Sequence, residues 1–312
     1  MELFREFCLY ETAVGGPDPQ LPLVAKMVED CDLRTRIWAG ACYAAVYNVA
    51  SAEALWLNLT PKGIDEMGAT ALVGWLSDHW DGLRTRLERR AVREPPKLAR
   101  CLMGLASWVL GASWKGWGDA GYPLAWDSVT GLYSFGRYVS MKFLEYLRLQ
   151  GIPGTTQPDL RLHGADSPRE GLMLITGDPA WLMDERKDLA SDERAAAELI
   201  TGLGLAITPY EAQVLLCEFK QSLIGKRQYP GRSLDSELKY HWAIKPRWEH
   251  ATSMFVARRA IFPMQSLGEL HGWDGPREQL GGVAATYDYT WSDLLYDYTD
   301  SPDLAQPTRW LT

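Results

Sequence analysis

TPYEAQVLLCEFKQSLIG, residues 208–225, decides the class of fold. Thr208 offers a side-chain oxygen to the free N–H groups of a starting helix, and Pro209 suits the first turn. Glu211, three residues after Thr208, completes a capping box. Gly225 stands where a helix C-cap belongs. Reading outward, the spacing predicts a further helix over 192–206 and two more over 235–245 and 248–261. Upstream, residues 33–57 place Trp38, Cys42, Ala45, Val49 and Ala52 at three- and four-residue steps, the period of a helix. Residues 69–92 read as an amphipathic helix, broken at Pro95-Pro96. Residues 97–111 read as a buried helix. The stretch 113–127 holds three Gly, one Pro and three Trp and reads as a loop; 151–170 is rich in Gly, Pro and Thr and reads as a connection. No strand alternation and no repeat stand out, so the expected class is mostly α.

The 312 residues suffice for one large domain or two smaller ones. The expected organisation is one helical catalytic domain over 1–277, divisible into two lobes near 95 or within 151–170. An acidic, Tyr-rich segment over 278–312 follows. Of the net charge of −8, residues 278–308 supply six acids and no Lys or Arg, so the body is close to neutral. That balance argues against a protein that coats DNA with many phosphate contacts, but not against an enzyme gripping a few. The five cysteines are scattered, with no C-x-x-C pair, which points to reduced thiols and a cytoplasmic setting. Glu2, Arg5 and Glu6 interrupt any leader-like apolar run, and no stretch reaches the roughly 20 apolar residues of a membrane span, so no membrane partner is expected. The five histidines show no H-x-x-x-H pair; neither a metal nor a cofactor is expected.

Three stretches carry possible chemistry. In GLYSFGRYVSMKF, residues 131–143, two glycines five apart precede a helix bearing Arg137 and Lys142. Free N–H groups at such a start can hold a phosphate, as in helix-hairpin-helix DNA binders; a plain helical hairpin would look the same. In SPREGLMLITGD, residues 167–178, Arg169 and Gly171 suggest a tight turn, with or without a phosphate contact. In CEFKQSLIGKRQYPGRSLDSEL, residues 217–238, Lys220, Lys226, Arg227 and Arg232 fall in thirteen residues without an acid, beside Tyr229. Such a basic loop is either solvated or a phosphate cradle. On the preceding helix Glu218 follows a Cys217 expected to be buried, and lies about 200° around the wheel from Lys220. Gln221 shares the face of Glu218 and can partner it. Asp235 caps the next helix or serves as an acid or base.

Taken in order, WAGACYAAVYNVASAEALW (38–56), GLYSFGRY (131–138), SPREGL (167–172) and LCEFKQSLIGKRQYPGRSLDSEL (216–238) resemble one family. It is the phage thymine-hypermodification proteins known as amino acid:DNA transferases, or α-glutamyl/putrescinyl thymine pyrophosphorylases. The hydroxymethyluracil DNA kinase helical proteins are related to it. The resemblance spans roughly 36–240. It implies a helix-hairpin-helix, DNA-glycosylase-like architecture acting on double-stranded phage DNA in the infected cell's cytoplasm. It implies displacement of the pyrophosphate of 5-pyrophosphoryloxymethyl-deoxyuridine by the amine of an amino acid or polyamine. On that reading Glu218 or Asp235 takes the amine's proton, and Lys220 binds the amino acid's carboxylate. Lys226, Arg227, Arg232 and Tyr229 would meet the pyrophosphate, Arg137, Lys142 and Arg169 the DNA, and Trp114, Trp117, Tyr122 and Trp126 would stack on a flipped base. A DNA glycosylase and a non-enzymatic DNA-binding protein are the alternatives. A self-contained kinase is disfavoured by the absence of a G-x-x-x-x-G-K-[ST] loop.

Overall fold

The computed structural model describes residues 1–13, 16–182 and 189–223. Every regular element among them is helical. In chain order they are α1 (Glu2–Ala13), α2 (Gln20–Met27), α3 (Leu33–Val46), α4 (Val49–Asn58), α5 (Pro61–Asp78), α6 (Pro95–Leu110), α7 (Trp117–Thr130), α8 (Arg137–Leu149), α9 (Asp166–Thr176), α10 (Leu189–Thr201) and α11 (Pro209–Leu223). Short 3-10 turns lie at Trp80–Gly82, Leu87–Val92 and Pro179–Leu182.

The predicted helix over 33–57 is two helices. Tyr47 takes a left-handed conformation (φ 54°) that ends α3, and Asn48 starts α4 by accepting the Ser51 N–H at 2.8 Å. Asp32 caps α3 in the same manner, accepting from the N–H groups of Arg34 and Thr35. Gly68 (φ 74°, ψ 171°) breaks α5, so a short helix behind the Thr60 cap at Pro61 precedes the one expected from 69, which ends at Asp78 instead of 92. The stretch 113–127, expected as a loop, is largely α7. Gly121 (φ 68°) kinks it, so Pro123 falls in the first turn after the kink, where its missing N–H costs no helix bond.

The chain divides into two compact units, with one boundary between Thr156 and Gln157. The described part of the first unit is residues 20–156. There α3 packs on α4, α6 and α8, and α5 lies along α6. Gly40 of α3 meets α8 so closely that a Cβ would sit 2.0 Å from the Tyr146 ring. The buried Tyr146 hydroxyl donates to the Arg36 carbonyl at 2.8 Å. Arg89, only 1% exposed, binds segments far apart in sequence. It donates to the carbonyls of Ala45 (2.9 Å) and Ser134 (2.6 Å) and lies over the Phe135 ring.

The described part of the second unit holds residues 1–13, 16–19, 157–182 and 189–223. Its apolar core joins Phe4 and Phe7 of α1, Leu172 of α9, Ala196 of α10 and Leu215, Leu216 and Phe219 of α11. The Phe219 ring meets Phe4 and Phe7 edge-on at 5.1 and 5.5 Å. Tyr210, buried, donates its hydroxyl to Asp18.

Candidate functional site

The capping box predicted at 208–211 is present. The Thr208 N–H donates to Glu211 Oε2 at 2.7 Å, and the Glu211 N–H donates to Thr208 Oγ1 at 3.2 Å. This start fixes the rotation of α11. Ala212, Leu215, Leu216 and Phe219 turn into the core, and Glu218 and Lys220 are left partly exposed. Cys217, expected to be buried, is half-exposed at the edge of that face. Glu218 keeps one carboxylate oxygen out of solvent while its residue stays partly accessible.

Two of the short motifs singled out in the sequence meet here. Gly171 of SPREGL lies against the backbone of Leu216 of LCEFK, where a Cβ would stand 2.5 Å from the Leu216 carbonyl oxygen. Only a glycine lets α9 and α11 approach so closely. One residue before this crossing, Glu170 forms an ion pair with Lys220. SPREGL is therefore not a turn: Pro168 sits in the first turn of α9, and the motif continues the helix. Arg169, expected at a phosphate, is 6% exposed. Its Nε donates to the Leu162 carbonyl at 2.8 Å, a second nitrogen donates to the Trp181 carbonyl at 3.3 Å, and Asp192 lies 3.9 Å away. With two donors on carbonyls inside the unit, this arginine braces the 157–182 segment. Glu193 holds the same segment by accepting the N–H groups of Leu160 and Leu162.

In the unit of 20–156, α7, the turn 131–136 and α8 form a helical hairpin. Ser134 is left-handed (φ 66°), and Gly136 is the exposed N-cap of α8, with no side-chain cap bond. Arg137 is partly exposed on the first turn of α8. Lys142 is not on that surface: it is 8% exposed, with its ammonium over the rings of Tyr47 (5.6 Å) and Tyr138 (5.1 Å). Of the expected base-stacking residues, Trp114 and Trp117 are core side chains tilted on Trp108 at 5.4 and 5.7 Å. Their burial places them in the packing of α6 and α7 instead of on a ligand. Tyr122 is also buried, stacked on a partly exposed Trp126 at 6.0 Å. Lys226, Arg227, Tyr229, Arg232 and Asp235 lie outside the described residues.

Sequence reasoning did not find Glu170, Arg89, Glu193 or the Asp18–Tyr210 bond. Each depends on a partner distant in sequence, and none has a local spacing that announces it. Burial pushes the thiol of Cys101 up to about 11, against a partial lowering by Arg89, and burial carries Cys8 up to about 12. Among the described residues no His, Cys, Asp and Glu cluster is arranged to hold a metal, and no helix is long and apolar enough to cross a membrane. The chain matches no family model, no curated protein and no solved structure.

Proposed function

We propose that this chain is a DNA base-modifying transferase of the amino acid:DNA type, with a helix-hairpin-helix, glycosylase-like architecture. The observation that carries the reading is the meeting of SPREGL and LCEFK at the Gly171–Leu216 crossing, because both motifs belong to the ordered set on which the resemblance rests. The α7–α8 hairpin, with the exposed Gly136 at the start of α8 and Arg137 beside it, supports a DNA backbone contact.

The reaction makes three demands. The modified base leaves the stack, at a cost of a few kcal/mol; Trp126 is the partly exposed aromatic of the four expected ones. The carbon–oxygen bond to diphosphate breaks, either as the carbon–nitrogen bond forms or before it, and the electron pair leaves with the diphosphate. Lys226, Arg227 and Arg232, which follow α11 in the sequence, take that charge in this reading. The donor's ammonium gives up a proton before attack, and Glu218, with its half-sheltered carboxylate, is the acceptor assigned here. No metal or cofactor has a part in these steps.

The test is to incubate the full chain with duplex DNA carrying 5-pyrophosphoryloxymethyl-deoxyuridine and a mixture of amino acids and polyamines, then digest and weigh the nucleosides. Amine-bearing thymidine is expected. Free base with alkali-labile abasic sites would identify a glycosylase instead. Binding that leaves both modified and plain DNA unchanged would identify a DNA-binding protein.

A further inference from the structure

We propose that residues 84–100, beside the hairpin turn 131–136, form a basic face that holds the phosphate backbone of duplex DNA. The inference takes its partner from the transferase reading and adds where that partner sits. The resemblance placed DNA on Arg137, Lys142 and Arg169, and the last two are enclosed. In a chain of net charge −8, residues 84–100 hold six arginines and one lysine against two acids, a surplus of +5. Crowding like charges in this way destabilises the fold through mutual repulsion, although the chain has 40 acids to place among them. A polyanion relieves that repulsion. The preference for arginine over lysine suits phosphate, which a guanidinium grips with two parallel N–H groups.

The fold pins this segment by its main chain and turns its cations outward. It is an irregular run with one 3-10 turn, Leu87–Val92, before the first turns of α6. The Arg84 N–H donates to Ser51 Oγ at 2.7 Å and the Arg86 N–H to the Val46 carbonyl at 3.1 Å. The buried Arg89 ties the run to the Ser134 carbonyl at 2.6 Å. On this anchored backbone Arg84, Lys97 and Arg100 are exposed and Arg93 is partly exposed. Lys97 meets Glu94 at 3.0 Å, an exposed pair that water screens. Arg84, Arg93 and Arg100 have no acid at ion-pair distance among the described residues, and the Arg93 Nε has no hydrogen-bond partner there. The Arg100 guanidinium lies over the Tyr133 ring, 4.0 Å from its centroid. Stacking uses the face of the guanidinium and leaves its N–H edges for phosphate oxygens. The same stack joins α6 to the turn that carries Gly136, so the basic run and the hairpin meet at the surface. Contacts of this kind position a duplex without reading its sequence.

The test is the affinity of the full chain for a short fluorescent duplex of unmodified DNA, measured as KCl is raised. Each phosphate contact contributes about 0.9 to the slope of log affinity against log salt. Arg84→Gln/Arg93→Gln/Arg100→Gln should flatten that slope by about 2–3 and weaken binding by about tenfold or more, equally for every sequence. Arg84→Gln alone, whose side chain donates only to the adjacent Leu83 carbonyl, should flatten it by about 0.9 without touching the fold. Lysine at the same three positions should keep the slope and lose part of the affinity. Removing three cations elsewhere, as Lys26→Gln/Lys62→Gln/Arg194→Gln, should leave slope and affinity near wild type. Equal losses in the two triple glutamine variants would reduce the effect to net charge and overturn the proposal. So would an unchanged slope in the first variant, no binding of the duplex by wild type at low salt, or polyglutamate binding as tightly as DNA. The two readings fail separately. Loss of DNA binding in the first variant, with no nucleoside product from wild type, would keep this face and remove the transferase. Product formed with an unchanged KM for DNA in that variant would keep the transferase and remove this face.

Discussion

The two units each bury an arginine, and they accommodate it differently. In residues 20–156, Arg89 donates to two main-chain carbonyls, covers the face of Phe135 and reaches the Cys101 sulfur. In the unit of 1–19 and 157–223, Arg169 also donates to two carbonyls, but it stands beside the Asp192 carboxylate as well. The first arrangement ties three segments together through dipoles and an aromatic face. The second adds a formal counter-charge, and the adjacent Glu170 holds another cation, Lys220. The lesson is that a buried cation is not by itself a ligand site.

The comparison breaks most visibly on deletion of the guanidinium groups. Arg169→Met removes the guanidinium beside the buried Asp192 together with two donors to carbonyls, and should cost about 3–5 kcal/mol in urea unfolding, the range for losing one member of a buried pair. Arg89→Met orphans two carbonyls and should cost about 2–3 kcal/mol. Equal losses would mean that the Asp192 charge adds nothing to its unit.

The glycines at the helix crossings give the next largest effect. Gly171→Ala drives a Cβ onto the Leu216 carbonyl, and backbone cannot swing aside as a side-chain tip can. A loss of about 1–3 kcal/mol is expected, with a weakened Glu170–Lys220 pair. Gly40→Ala pushes instead on the Tyr146 ring, which is itself buried and bonded to Arg36. A neutral Gly171→Ala would show that α9 and α11 do not approach as closely as described.

Alkaline pH sharpens the contrast further. The folded-state Cys101 thiol is raised from 9.0 to about 11, so it stays protonated while the unfolded chain's thiol ionises. Its contribution is complete below pH 9 and is lost as pH rises towards 11, at up to about 1.4 kcal/mol per pH unit in between. Cys101→Ala should flatten the stability curve in that window relative to wild type. An unchanged slope would contradict the burial assigned to this thiol.

The smallest effects come from the caps, one in each unit. Asp32→Ala and Thr208→Ala should each cost about 1 kcal/mol. Hydrogen bonds from Thr35 and Arg34 hold the Asp32 carboxyl below its ordinary value. Its share of stability is therefore present above pH 3.8 and fades as pH falls below it, whereas that of Thr208 does not titrate. A cap loss at Asp32 that is independent of acid would separate the hydrogen bonds from the charge.

The cap at Thr208 was legible because it is local. Thr208, Pro209 and Glu211 announce the start of α11 within four residues, and the helix forms where they say. The helix α7 was not legible, because Gly121 and Pro123 carry a loop's composition while serving a kink and a new first turn. The break at Tyr47 and Asn48 was hidden inside an apolar run whose period continues across it. Cations were hardest to read. Arg169 and Lys142 share the chemistry of a phosphate ligand, and only the contacts to Leu162, Trp181, Tyr47 and Tyr138 reveal that they are enclosed. Glu170 and Lys220 are separated by the whole of α10, so their pairing had no local signature.

The most direct test of the central claim is the rate at which Glu218→Gln forms amine-bearing thymidine on pyrophosphorylated DNA at saturating amino acid. A drop of about tenfold or more is predicted, with unfolding unchanged, since about 1.4 kcal/mol of barrier per decade is a modest share for a proton acceptor. A rate equal to that of wild type would contradict the assignment of this chemistry to α11.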